Sequence, residues 1–223
     1  MKHFPALATM FAHSFMTQHI REKYNLLLKG IETNDFALLE EVHHLTSGLK
    51  ALHTQEAFDM MLEIRQSLGG AGFTAWSGLP SLIANFAPLP TFEGDNTVMA
   101  QQSFTYLMKQ AKKLFGGIVK PEMDPSFHYI AEVNSLLIKK SPCKRMEDFL
   151  DLENINEALK VNVGLKLKRL AIEAFRLRDE WNKKEFINGP YALEVVQVAL
   201  EHLRYTSFLF FKQRVQKGDI TCP

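Results

Sequence analysis

Apolar residues return every three or four positions along most of this sequence, in runs long enough to fix its fold class. In PALATMFAHSFMTQHIREKYNLLLKGI, Leu7, Met10, Phe11 and Phe15 fall on one stripe of a helix, expected to be its buried face. Pro5 stands where a first helical turn accepts it, and Gly30 reads as the terminator. Asp35 is placed to cap a second long helix, DFALLEEVHHLTSGLKALHTQEAFDMMLEIRQSL. The pair Gly69–Gly70 ends it, because glycine takes the positive φ of a helix C-cap without strain. In NTVMAQQSFTYLMKQAKKLF, Phe104, Leu107, Met108, Ala111 and Phe115 form a stripe, with Lys109, Lys112 and Lys113 largely off it. The spacing predicts two long antiparallel helices with a third packed on both.

Glycine and proline then concentrate in GGIVKPEMDPS, residues 116 to 126, which reads as a boundary. Beyond it, INEALKVNVGLKLKRLAIEAFRLRDEWNKK puts Leu167, Leu170, Ala171 and Ala174 on one face. After Asn188–Gly189–Pro190, YALEVVQVALEHLRYTSFLFFKQRVQ carries Val195, Val198 and Ala199. No stretch alternates with period two. The predicted fold is all-α: a helical bundle over 1–115, a linker over 116–127 and a second, partial helical domain over 128–223, two bundles sharing a junction.

Composition excludes several functions. Lys and Arg number 26 against 25 Asp and Glu, so the balance points to neither a nucleic-acid backbone nor an acidic partner. Cys143 and Cys222 make no disulfide framework and lack a zinc-site neighbour, so both read as free thiols in a reducing compartment. No uninterrupted apolar run reaches the ~18 residues of a membrane span. The N-terminal MKHFPALATMFAHSF has signal-peptide traits, but His13 interrupts it and no small-residue cleavage site follows cleanly, so it reads as part of the fold.

One stretch departs from the helical pattern: GGAGFTAWSGLPSLIANFAPLPTFEGDN, residues 69 to 96, which near its end sets the carboxylate of Glu93 between Phe92 and Gly94. The run Gly69, Gly70, Ala71, Gly72, Phe73, followed some twenty residues on by Phe92 to Asn96, strongly resembles the acyl-CoA oxidases, flavoenzymes of the acyl-CoA dehydrogenase superfamily. The resemblance extends through FPALATMFAHSF, LTSGLKALHT, the SGLP turn at Ser77 to Pro80, and TFEGDNTVMAQQSFTYLMK, over residues 4 to 110. Residues beyond 127 resemble, more loosely, the start of the extra helical domain of these oxidases. With Asp95–Asn96 after the Glu-Gly pair, that similarity favours oxidase over dehydrogenase.

The resemblance implies a fold, a chemistry and a setting. It implies a dimeric, peroxisomal enzyme that uses FAD and molecular oxygen to turn a fatty acyl-CoA into trans-2-enoyl-CoA, releasing hydrogen peroxide in fatty acid β-oxidation. Glu93 then matches the base that takes the α-proton, with Phe92 and Gly94 beside the substrate. Gly69, Gly70 and Gly72 would lie against the FAD of the neighbouring subunit, where glycine lets backbone approach closely. A carboxylate serves as base on a weak carbon acid only when stripped of water, and Phe86, Leu89 and Phe92 are expected to supply the apolar wall. Oxidases of this kind also carry an N-terminal helical domain, a β-barrel domain and an upstream arginine segment at the flavin, none of which this sequence contains. The expectation is a C-terminal part of such an enzyme, helical but inactive by itself. It closes on Thr221, Cys222 and Pro223, unlike a Ser-Lys-Leu peroxisomal signal.

Each feature has a plainer alternative. A glutamate in a Gly/Pro-rich loop is commonly a solvated or capping carboxylate, and Gly69–Gly70 alone serves as a helix stop. His43, His44 and His53 suggest a metal site, but neighbours in sequence face different sides of a helix, so no metal is expected. Lys166, Lys168, Arg169, Arg176 and Arg178 read as a solvated face, contact with CoA phosphates being the alternative. The whole chain has one too: a non-catalytic helical subunit that keeps the bundle as an interaction surface.

Overall fold

A computed structural model describes residues 3–118, 123–178 and 182–218; Cys222 and the rest of the chain end lie outside them. Among the described residues the chain forms eight α-helices and short 3-10 turns, with no strand. Helix α1 spans His3–Glu32 and α2 Leu39–Ser67. The pairs His3–Ser67, His13–Glu56 and Lys23–Glu41 run in opposite senses along them, so the two are antiparallel. A short α3, Leu79–Phe86, precedes α4, Asn96–Phe115, which lies antiparallel to α2. Then come α5 (His128–Ile138), α6 (Leu152–Arg176), α7 (Lys183–Asn188) and α8 (Ala192–Gln216).

Several local expectations change. Leu7 and Met10 are 51% and 61% exposed; the buried face of α1 is Ala6, Phe15, Met16 and Leu27. The stripe near the start of α1 has the right period, but no element of the described chain covers it. Gly30 lies inside the last turns of α1, where a Cβ would sit 2.7 Å from the Asp35 carbonyl oxygen. Its own carbonyl accepts from the N–H groups of Thr33 and Asp35. Asp35 closes that turn by accepting from the Ala37 N–H at 2.9 Å; α2 begins four residues later with no side-chain cap. At the other end of α2, Gly69 alone has the positive φ of a stop, +59°. The stretch expected to be irregular contains α3, because Leu79, Leu82, Ile83 and Phe86 keep the helical period and Pro80 is accepted in the first turn.

The apolar core joins the two halves of the sequence. Phe104, Leu107 and Ala111 of α4 pack in one cluster with Tyr129 and Ile130 of α5, Leu167 and Leu170 of α6, and Val195, Val198 and Tyr205 of α8. Helix α8 also reaches α1 and α2, where Leu203 joins Met16, Leu45 and Leu49. Three helices meet closely at Gly48 of α2. A Cβ there would lie 2.4 Å from Leu203 Cδ1 and 2.5 Å from Ser103 Oγ. Gly48→Val is therefore expected to force α2, α4 and α8 apart and to cost about 1–3 kcal/mol, read as a lower urea midpoint with helix content retained.

A second junction is ionic. Asp124 lies in the segment leading into α5, is 6% exposed, and accepts from the Ser126 N–H at 2.9 Å. Its Oδ2 is 2.8 Å from Lys23 Nζ and 3.3 Å from His19 Nε2, both on α1. Lys23 also pairs with Glu41 of α2. Burial alone would raise the Asp124 carboxyl; His19 and the Lys23 ammonium, with the Ser126 N–H, outweigh it and hold the group well below the usual carboxylate range. One buried carboxylate thus ties the second half of the chain to the first two helices.

Candidate active site

Glu93 sits at the crest of a tight loop between α3 and α4. The Thr91 and Phe92 N–H groups both donate to the Pro88 carbonyl at 2.9 Å, and the Asn96 N–H returns to the Pro90 carbonyl at 3.1 Å. That winding puts Glu93 at φ +58° and Gly94 at φ +106°. A left-handed conformation is uncommon for a residue with a Cβ, and such strain persists only where surrounding contacts enforce it. At Gly94 the φ of +106° favours glycine, and a Cβ would in addition push the terminal methyl of Met99, 2.6 Å away, aside. Asp95 is the N-cap of α4, accepting from the Thr97 N–H at 2.8 Å. The hydrogen bond from the Thr97 N–H leads the contacts that lower its carboxyl pKa.

Helix α2 enforces the loop from one side. Lys50 Nζ donates to the Gly94 carbonyl at 2.5 Å and to Asn96 Oδ1 at 2.9 Å. Asn96 Nδ2 in turn donates to Thr54 Oγ1 at 3.0 Å and to the Ala51 carbonyl at 3.1 Å, and Thr54 donates to the Lys50 carbonyl at 2.7 Å. Lys50, Asn96, Thr54 and Asp95 around the glutamate are thus all engaged. Glu93 is exposed, and its carboxylate makes no hydrogen bond or ion pair among the described residues. Lys50 and Thr54 do not stand out in the sequence; their signal is that they lie one turn apart in LTSGLKALHT, on the face of α2 turned toward this loop.

The apolar wall around Glu93 is only partly built by this chain. Phe86 and Leu89 are half-buried and Phe92 is 45% exposed. The glycines lie elsewhere. Gly72 is buried against the end of α2, where a Cβ would strike the Arg65 carbonyl oxygen at 2.3 Å, whereas Gly94 is held by Lys50. The fifteen residues between Arg65 and Lys50 correspond to about 22 Å along α2. The structure thus keeps Phe92, Glu93 and Gly94 together and sets Gly69, Gly70 and Gly72 apart from them. Gly69 supplies the turn and Gly72 the close approach, while Gly70 does neither: its Cβ position is open. Beside it, Phe73 and Trp76 are 76% and 80% exposed.

The remaining candidates take structural positions. His43 is exposed and bonds Gln102; His44 is buried, its Nδ1 2.9 Å from the Ser103 carbonyl oxygen; His53 stacks on His13 at 3.7 Å. Of the basic set, Lys166 pairs with Glu201, Arg169 with Glu194 and Arg176 with Glu173. Lys168 bonds Asn134, and Arg178 lies over the Phe175 ring.

Comparison with known proteins agrees with this architecture. Residues 1–108 match the family described as "Acyl-CoA oxidase, C-alpha1 domain". The chain is 31% identical to mouse peroxisomal acyl-coenzyme A oxidase 1, covering 97% of itself and 33% of that protein. It is similar to peroxisomal acyl-coenzyme A oxidase 1 of Arabidopsis thaliana at 30%, over 89% of itself and 29% of the relative. It spans about a third of the length of these curated relatives. Among solved structures, Arabidopsis thaliana acyl-CoA oxidase 1 superposes with a TM-score of 0.85 at 28% identity, over 96% of this chain and 32% of that one. An acyl-CoA oxidase from tomato gives 0.85 at 28%, over 100% and 32%. Acyl-CoA oxidase-1 of Caenorhabditis elegans, solved with FAD and ATP, shares the fold with a TM-score of 0.83 at 21% identity, over 97% and 32%. Sequence and architecture agree: residues 1–108 carry the C-alpha1 domain of the acyl-CoA oxidases, and the chain as a whole is similar to the C-terminal helical region of that family.

Proposed function

We propose that this chain supplies the base-bearing part of an FAD-dependent acyl-CoA oxidase, and that Glu93 is the base. The observation that carries the reading is the contrast at the loop: a strained crest tied to α2 through Lys50 and Asn96, with the one acid on it left unpaired. A carboxylate that capped or braced the fold would have a partner. This one is held in place and kept free to accept a proton, as a general base requires. Phe92 and Gly94 flank the acyl group in this reading. The Glu93 carboxylate takes the α-proton of the thioester, and the electron pair left on the α-carbon forms the α,β double bond as hydride leaves the β-carbon. FAD, when bound, is the hydride acceptor, and molecular oxygen then takes up the electrons and is released as hydrogen peroxide.

The surface at Gly69–Trp76 fits a flat cofactor. Gly70 leaves room for close approach, and Phe73 and Trp76 offer an uncovered aromatic face. Its distance from Glu93 along α2 is consistent with a contact to the FAD of the second subunit of a homodimer. Residues 1–115 form the catalytic bundle of this reading, 116–127 a linker, and 128–223 part of the extra helical domain. A peroxisomal setting and a role in fatty acid β-oxidation complete it; the relatives' names carry the word peroxisomal.

The test is Glu93→Gln in the native flavoprotein that contains this chain. The amide keeps shape but cannot take the α-proton, so peroxide release on acyl-CoA is expected to be abolished with flavin still bound. Near-normal turnover would remove Glu93 from the role. Lys50→Met tests the loop itself: freeing the Gly94 carbonyl is expected to lower kcat by about 10²-fold, as misplacement of a reacting group does, with KM and flavin content little changed. Partial recovery in Lys50→Arg would separate positioning from simple loss of fold.

A further inference from the structure

Helices α4 and α7, the end of α6 and the start of α2 line an open pocket of about 860 Å³, within the range of about 300–1,000 Å³ typical of small-molecule sites. Its wall is mostly apolar, built from Phe104, Met108, Ala174, Leu177 and Phe186, with Thr105 and Tyr106 among its few neutral polar side chains. Charge is confined to the mouth. There Lys109 is occupied by Glu40, whose carboxylate oxygens accept at 2.7 and 2.5 Å, and His43 is engaged with Gln102. Lys112, one turn along α4, and Lys183, at the start of α7, make no ion pair within 4 Å among the described residues, the Glu40 carboxylate acting on Lys183 only from farther off.

We propose that this cavity binds one aliphatic chain ending in an anionic head, the chain against Phe104, Met108, Leu177 and Phe186 and the head at Lys112 and Lys183. The wall is mostly apolar, so a nucleotide or a peptide would bury more hydrogen-bonding groups there than Gln102, Thr105, Tyr106 and Asn182 can answer, at a cost that an aliphatic chain avoids. Two unpaired cations at the mouth select an anionic head over a neutral or cationic one. The site shares no residue with the Glu93 loop and stands independently of that loop's role.

Calorimetry of the 223-residue chain with tetradecanoate and with tetradecyl phosphate tests it, tetradecyltrimethylammonium and dodecyl maltoside serving as head-group controls. One molecule of either anion is expected per chain; preference for one distinguishes a carboxylate from a phosphate source. Each pair of methylenes removed should weaken binding by about tenfold. Lys112→Glu with Lys183→Glu should weaken the anions by about tenfold or more and leave the maltoside unaffected. Ala174→Phe should block the cavity, whereas Trp76→Ala should change nothing. A chain-borne spin label needs no variant: it should broaden the Met108 methyl resonance and spare that of exposed Met10. No saturable binding, binding that survives both the cavity and the charge variants, or binding lost in Trp76→Ala with Met108 unbroadened would overturn the proposal.

Discussion

Lowering the pH from 7.5 to 5.5 is expected to remove about 4 kcal/mol of stability from this chain, about 1.4 kcal/mol from each of three histidines. His44 and His202 are buried with their Nε2 atoms unpaired, and the His53 Nε2 is likewise without a partner. Desolvation leads in all three. It takes His44 down to about 4; with His13 adding to it, it takes His53 to about 3; and with neighbouring His44 it puts His202 well below the usual value. The sign follows from where protons bind. Below the ordinary value of 6.5 the unfolded chain takes up a proton at each site, while the folded chain does not until the depressed value is reached. Stability is therefore full above 6.5 and falls as pH drops toward 4. Urea unfolding at the two pH values reads the difference directly, and His202→Gln should remove about a third of the slope. A flat profile between pH 7.5 and 5.5 would mean that these histidines are hydrated in solution.

Asp124→Ala should cost about 3–5 kcal/mol at neutral pH, because removing one member of a buried ion pair leaves the other uncompensated. Lys23 retains Glu41, so the loss sits at the low end if that pair absorbs the charge. The alanine also leaves the Ser126 N–H without its acceptor at the start of the turn into α5. The carboxyl of Asp124 is depressed, so its contribution is present above about pH 4, the unfolded value, and is lost only as pH falls further toward its folded value. Acid unfolding in the wild-type chain should thus show two regimes, histidine above pH 4 and Asp124 below it. In Asp124→Ala the lower regime should shrink.

The helices were legible because apolar spacing is set within the element. NTVMAQQSFTYLMKQAKKLF is α4 from first residue to last, and Val195, Val198 and Ala199 are buried as their spacing predicts. Leu7 and Met10 show where this fails: a stripe tells which residues share a face, not whether another element covers that face. Asp35 fails for a local reason, since an aspartate can close a turn as readily as cap a helix. At the candidate site, FEGDN was visible as a motif, but Lys50 and Thr54 were not, because nothing in a helical period distinguishes a lysine that reaches a distant loop from one that reaches water. The join between the halves was hidden for the same reason. Asp124 looks like one more turn residue until α1 places Lys23 and His19 against it.

Helix α8 is the last of these elements to leave the ribosome, yet its Leu203 fills the space between α1 and α2 and its Val195 and Val198 complete the core around α4. The first three long helices can form as they emerge, but the faces they turn to α8 stay wet until residues 192–216 arrive, a closure over more than a hundred residues for α1 and α2. During synthesis the nascent chain therefore passes through a state with native helices and an unsealed core, which is the kind of surface that chaperones hold. A stop codon just before Ala192 would trap that state permanently, and its product should partition to aggregates even though every residue of the Glu93 loop is present.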